Sequence, residues 1–229
     1  MPPCQNCHAG CCRSFAVPIT GADIFRIASQ TGAGFWDFVC RWADPEGQIA
    51  LNHAPHFRFR DEPETPFVIC LLTEQSQLVP GTSRCHFLAE GPADADAPLG
   101  RGQCTIHGAR PGSCRAFPSK LSQEGDLAIL YDLPSSGRSG GNPMYSLCPR
   151  PWTPADVDPI TQVQDLVVAT YEMRFFHRLA DIWNDEPGDW HLFPDFLEIV
   201  YSSRVRPAED AAALSVPVSD DHPVQREAA

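Results

Sequence analysis

Lysine is almost missing from these 229 residues: Lys120 is the only one, against sixteen arginines. Schiff-base or lysine-base chemistry therefore rests on a single candidate in an ordinary polar segment. Positive charge is scarce overall. Lysine and arginine total 17 against 29 acidic residues, a formal charge of −12, and no basic stripe runs along the chain. Phosphate backbones need such a stripe, so no nucleic acid is expected as a partner. No apolar run approaches the ~20 residues that cross a bilayer, so no membrane is expected either. The start, Met1-Pro2-Pro3-Cys4, has neither the basic residues nor the apolar core of a secretory signal, which points to a cytoplasmic protein.

Cysteine and proline, by contrast, are abundant, at 10 and 23 residues. A chain of this length can bury a core without covalent staples, and thiols in a reducing compartment gather around metal more often than they pair. The prolines predict short elements joined by long irregular connections.

Thr20-Gly21-Ala22-Asp23 has the form of a helix start, with Ile24, Ile27 and Ala28 as the apolar face and Gly32 and Gly34 as the stop. A second short helix is predicted over 35–42. Residues 43–66 are polar and broken by proline, and 67–72 read as a buried strand. Cys70 in that strand and Cys40 in the short helix are read as small core residues. Residues 80–118 return to irregular, cysteine-bearing chain. A strand is expected at 127–133, followed by a Ser/Gly turn at 135–141. The longest helix opens at 154–158 and runs to about Trp183, with Ile160, Val163, Val167, Tyr171, Phe175, Leu179 and Ile182 as its apolar stripe. Pro194 sits in the first turn of a last helix. No internal repeat is visible. The expected class is α+β: an irregular cysteine-rich metal-binding core with few short strands and several helices, the longest near the C-terminus. Residues 1–205 are expected to form a single domain and 206–229 a disordered acidic tail.

Eight cysteines remain for chemistry: Cys4, Cys7, Cys11, Cys12, Cys85, Cys104, Cys114 and Cys148. Cys4-x2-Cys7-x3-Cys11 is a spacing at which thiolates reach one metal or cluster. Cys11 and Cys12 are adjacent, and in extended chain their side chains face opposite ways, so one is expected at a second site or both at the edge of a polynuclear cluster. Eight thiolates suit two Cys4 zinc ions, or one 4Fe–4S cluster plus a second site. The gaps of 73 residues from Cys12 to Cys85 and 34 from Cys114 to Cys148 mean that binding would join distant segments and couple to folding. His8, His86 and His107 lie beside or near cysteines and compete as ligands, and His53-x2-His56 is a weaker pair. Arg13, Arg41, Arg84 and Arg115 each adjoin a cysteine, more often than chance would give, and guanidinium lowers a thiol pKa.

Cys104 to Pro118, with its Arg110-Pro111 and Cys114-Arg115-x-Phe117-Pro118 elements, combines with Cys4-x2-Cys7-x3-Cys11-Cys12, Cys85-His86-Phe87-Leu88 and Cys148-Pro149. As a joint pattern, covering residues 4–152, it resembles the YkgJ-type cysteine-cluster family, described as zinc- or iron-chelating. All eight motif cysteines occur in order, and the helix start from Pro18 to Ile24 is similar too. The resemblance implies that these eight bind an iron–sulfur cluster, zinc or both. It extends distantly to flagellin lysine N-methylases, longer enzymes that combine a similar motif with an iron–sulfur cluster and S-adenosylmethionine. That cofactor is implied by family analogy alone, because Gly137 to Gly141 reads as a flexible turn and not as a nucleotide loop.

Three functions follow as expectations: a redox or modifying metalloenzyme, a structural zinc module that presents a surface to a protein, and a metal carrier. Arg110 and Arg115 are the candidates for balancing cluster charge or binding an anionic group of a cofactor or substrate. No hydrolytic triad, phosphate loop or carboxylate pair stands at a useful spacing, so catalytic residues and substrate stay open. Trp183, Trp190 and Phe196 read as core aromatics.

Overall fold

Thr20 starts the first long helix as its sequence predicts. The computed structural model describes residues 7–50, 54–122, 127–130, 143–148, 151–202 and 204. Helix α1 is a single turn, Cys11–Ser14, and α2 spans Gly21–Thr31. The Thr20 side chain accepts from the Asp23 N–H while Asp23 Oδ2 accepts from the Thr20 N–H at 2.9 Å, a complete capping box. Gly32 closes the helix at φ 73, a left-handed position that costs glycine little.

The predicted helix over 35–42 is shorter. Helix α3 covers Phe35–Phe38, and the chain then turns into strand β1, Val39–Ala43. Tertiary pairing overrides the local pattern here. β1 lies antiparallel on β3, Glu62–Leu71, whose other edge carries β2, Phe57–Phe59. Cys40 is therefore a strand residue, directly opposite Cys70. Short antiparallel ribbons follow. Strand β4, Thr73–Gln75, pairs with β5, Ser83–Cys85, and β6, Leu88–Gly91, pairs with β7, Arg101–Cys104. After helix α4, Gly112–Ala116, β8 at Ser119–Leu121 pairs with β9 at Ala128–Leu130. Much of the chain between 80 and 118 that reads as irregular is thus hairpin. The turn expected at 135–141 and the tail at 206–229 fall outside the described residues.

The longest helix, α5, covers Pro159–Asp185, capped by Asp158, with a separate 3-10 turn at Pro154–Asp156 before it. Its buried face differs from the predicted stripe. Of that stripe Leu179 is buried and Phe175 half-buried, but Ile160, Val163, Val167, Tyr171 and Ile182 are exposed, and Leu166, Phe176, Ala180 and Trp183 are buried instead. Buried and half-buried positions 162, 166, 169, 173, 176, 180 and 183 form the packed row. That row includes Gln162, Ala169 and Ala180, so its hydrophobicity is diluted. The reason is packing: a Cβ on Gly112 would meet Ala169 Cβ at 3.1 Å, so α4 and α5 meet through small residues. Gln162 donates to Ala116 O at 2.6 Å and satisfies the end of α4.

At the other end of α5, Trp183 donates to Arg58 O at 2.7 Å, and Asn184 brackets β2 through His56 O and Arg58 N–H. Phe57 packs at a tilt against Phe176 at 4.9 Å, and Phe59 packs tilted against Trp183 and edge-on against Trp190, so Trp183 and Trp190 belong to the aromatic core. The fold is α+β, with six helices and several short antiparallel strands among the described residues. A division after Phe193 separates a second unit. Helix α6, Phe193–Ser202, begins at that boundary and carries Pro194 in its first turn.

The α5 assignment is testable by urea unfolding. Val167→Ser should change stability by less than about 0.5 kcal/mol, and Phe176→Ala should cost about 3–5 kcal/mol. Equal costs would place the buried face wrongly.

Candidate metal centre

Seven of the eight sequence-selected cysteines are described, and Cys4 lies outside the described residues. All seven are free thiols. They come from separate segments: Cys7 before α1, Cys11 and Cys12 within it, Cys85 ending β5, Cys104 ending β7, Cys114 in α4 and Cys148 after the 3-10 turn Pro143–Tyr145.

Backbone contacts bring these segments together. The Gly102 N–H donates to Cys7 O at 2.9 Å, laying the N-terminal segment along β7. A Cβ on Gly102 would fall 2.4 Å from Ala9 Cβ, and one on Gly10 would fall 1.7 Å from Ser146 O, so both approaches require glycine. Ser14 Oγ donates to Tyr145 O at 2.9 Å, which ties α1 to the turn ahead of Cys148. Asp23 fixes the Cys114 turn. Its Oδ1 accepts from Gly112 N–H at 2.9 Å and from Arg26, which also donates to Arg110 O.

The thiols feel one another. Removal from water raises Cys85 to about 11, with Cys104 and Cys11 adding to the effect. Burial also raises Cys7, Cys104 and Cys148, and the Cys11 charge adds to each. Cys114 is pushed up by burial and then by Cys85, Cys11, Cys104 and the Asp23 carboxylate. Cys11 itself is held well above the usual thiol range by its hydrogen bond with Cys12, then by burial. It is the common neighbour of the set. Opposing this, the Ala9 N–H donates to Cys7 Sγ and the Trp152 indole donates to Cys148 Sγ, each at 3.3 Å. N–H donors favour the thiolate form. Ala9 adopts φ 59, a costly backbone angle for a residue with a side chain, and it does so where its amide meets Cys7.

The expectation that Cys11 and Cys12 point apart does not hold. They lie in a helical turn, not in extended chain, and their sulfurs are 4.0 Å apart. Two thiolates on one tetrahedral zinc, each at about 2.3 Å, stand about 3.8 Å apart. As placed, no three His, Cys, Asp or Glu side chains among the described residues form a coordination shell. The donor set nevertheless suits zinc or iron–sulfur chemistry, because soft thiolates are the ligands both prefer.

The arginines beside cysteines mostly serve carboxylates. Arg13 pairs with Glu90 at 2.6 Å, with side chains only 3% and 5% exposed. Arg84 pairs with Glu74 at 2.9 Å and lies 3.5 Å from Glu90. Arg41 points into the aromatic core, over Phe67 at 4.6 Å, and binds Asp61 and Glu62. Arg115 is ion-paired with Asp165 of α5. Arg110 donates to His107 O at 3.1 Å, and its charge opposes the rise at Cys104. Of the histidines, His8 donates to Ser146 O at 2.7 Å, His86 is bound to Glu74, His107 is exposed, and His56 meets the buried Asp44 at 3.0 Å. His53 lies outside the described residues.

Sequence reasoning missed Glu90, Trp152 and Ala9. A glutamate in a hairpin, a tryptophan four residues after Cys148 and an alanine with φ above zero carry no sequence signal of these contacts. No family model matches this chain, and no curated protein or solved structure is significantly similar to it.

Glu90 offers a test of the ion-pair wall. Despite burial, hydrogen bonds from Ser76, Arg13 and Gln77 hold its carboxyl below the ordinary glutamate range. Glu90→Gln strands the buried Arg13 charge and should cost about 3–5 kcal/mol at pH 7. A depressed carboxyl stabilises the fold above its unfolded pKa and loses that contribution as pH falls through the folded value. The gap between parent and variant should therefore close on acidification past the glutamate range. A gap independent of pH would show that the Glu90 charge is not what stabilises the fold.

Proposed function

We propose that this protein is a metal-binding protein of the YkgJ type, in which Cys4, Cys7, Cys11, Cys12, Cys85, Cys104, Cys114 and Cys148 hold an iron–sulfur cluster, zinc or both. The observation that carries the reading is that hydrogen bonds draw the segments of Cys7, Cys104, Cys114 and Cys148 together around α1, near enough that ionising Cys11 would raise the thiols of Cys7, Cys85, Cys104, Cys114 and Cys148. Gathering this many buried and half-buried thiols, whose ionised forms would repel one another, has no benefit for packing that alanine or valine would not provide. A cation that takes thiolates gives the arrangement a reason. A bound iron–sulfur cluster would supply one-electron chemistry, and Arg110 would present a positive charge beside Cys104. By resemblance, modification with S-adenosylmethionine belongs to this reading.

A second reading, a structural zinc module without catalysis, is favoured by one measurement. The 4.0 Å separation of the Cys11 and Cys12 sulfurs matches two corners of a single tetrahedral ion.

Anaerobic purification followed by metal analysis and a visible spectrum separates the two. Absorbance near about 400 nm with stoichiometric iron and sulfide supports the cofactor reading. Colourless protein with bound zinc supports the structural one, and metal-free protein that is fully folded would overturn both. Cys11→Ala and Cys12→Ala should each lose the same portion of the metal. Loss of different portions would assign the two thiols to separate sites.

A further inference from the structure

The two cysteines outside the metal set stand opposite one another. Cys40 of β1 and Cys70 of β3 are register partners in the antiparallel ladder. The Leu72 N–H donates to Phe38 O at 2.7 Å, so alternation makes Cys40 and Cys70, two residues further along, a hydrogen-bonded pair. Partners of that kind have Cα atoms about 5.5 Å apart, inside the roughly 4.4–6.8 Å that a disulfide spans. Both side chains lie on one face of the sheet, packed with Ala54, Val68, Ala16 and Met173. Cys70 is fully buried and Cys40 half-buried, so Cys40 is the thiol a small solute reaches first. Cys40 and Asp44 are the titratable groups that act on Cys70, and no thiol of the proposed metal set is among them.

We propose that Cys40 and Cys70 are a second thiol site, separate from the metal centre: a cross-strand dithiol that a hydroperoxide oxidises to an intramolecular disulfide. The Cys40 thiolate attacks the terminal peroxide oxygen. The O–O bond breaks, the other oxygen leaves as water or alcohol after taking up a proton, and Cys40 becomes a sulfenic acid. The Cys70 sulfur then attacks the Cys40 sulfur. The S–S bond forms, the S–O bond breaks, and hydroxide departs with the Cys70 proton as water. Two electrons pass from the two sulfurs to the peroxide, so the step balances. Burial holds the Cys40 thiol up at about 11 and raises Cys70 further. Thiolate is therefore scarce, and the pair reacts over minutes to hours rather than seconds. Its product closes the loop between residues 40 and 70 and clamps β1 to β3.

Tryptic mapping reads this directly, because residues 27–41 and 61–84 each contain one cysteine. The full chain with its bound metal is incubated with hydrogen peroxide, alkylated and digested without reductant. The expected product is the 27–41 peptide joined to 61–84, two hydrogen masses lighter than the pair, separable by dithiothreitol. The oxidised protein should melt roughly 5–10 °C higher than the reduced form. Cys70→Ala should abolish both changes. Three outcomes overturn the proposal: both peptides still reduced after overnight exposure, Cys40 over-oxidised while Cys70 stays a free thiol, or either peptide joined to one carrying a metal-set cysteine. None of these bears on the metal reading, since neither peptide contains a cysteine of that set.

Discussion

The carboxylate of Asp23 is the constraint on which the placement of Cys114 beside the N-terminal helices depends. Its two oxygens do different things. Oδ2 completes the capping box of α2, while Oδ1 takes the Gly112 N–H and one Arg26 nitrogen. A helix start near the N-terminus is thereby fixed to the turn that carries Cys114. Arg26 adds a hold on Arg110 O, and Ser113 donates to Pro18 O at 3.0 Å. With that turn anchored, Gly112 lets Ala169 approach and α5 lies across α4. Placement of Cys114 is thus a consequence of capping chemistry elsewhere in the chain.

Once gathered, the thiols oppose their own ionisation. Each resolved shift in the set is upward, and burial or a neighbouring thiol is the leading cause. Local counter-charge is limited. Arg84 and Arg110 work against the rise at Cys85 and Cys104, but burial outweighs them. Arg13, Arg41 and Arg115 are matched by Glu90, by Asp61 and Glu62, and by Asp165. Proximity in sequence between arginine and cysteine therefore does not translate into guanidinium–thiolate pairing. The protein's own cations would leave ionised thiols here largely uncompensated, so the metal proposed above would couple its binding to folding.

Features set by local chemistry were legible in the sequence. The Thr20/Asp23 box, the Gly32 stop, the strand through Cys70 and the Pro194 helix follow from cap and pattern rules that involve only a few adjacent residues. Features set by tertiary partners were not. Cys40 reads as helical until β3 is there to pair with it, and the hairpins between 73 and 104 are short and polar. On α5 the hydrophobic residues that repeat most regularly are exposed, because the contact with α4 selects small side chains and Gln162. Period analysis finds the largest side chains, and here the closest packing uses the smallest. In the candidate site, the eight cysteines could be selected by spacing, but the 4.0 Å approach of Cys11 and Cys12 depended on a helical turn that spacing does not reveal.

Cysteine itself shows the same division between local and tertiary information. In sequence, Cys70 is set apart by its apolar run and Cys40 by the short element it reads as part of, and thirty positions separate them. Strand register removes that separation and sets the two directly opposite one another. The metal set is arranged differently, around one central residue reached from five segments. A pair in a ladder has two sulfurs and no further donors, which suits electron loss to a bond between them. A hub with many donors suits a cation. Identical side chains are thus given different surroundings by hydrogen-bonded backbone, the β1–β3 ladder in one case, Asp23 and Gly102 in the other, and the two proposals follow from that difference.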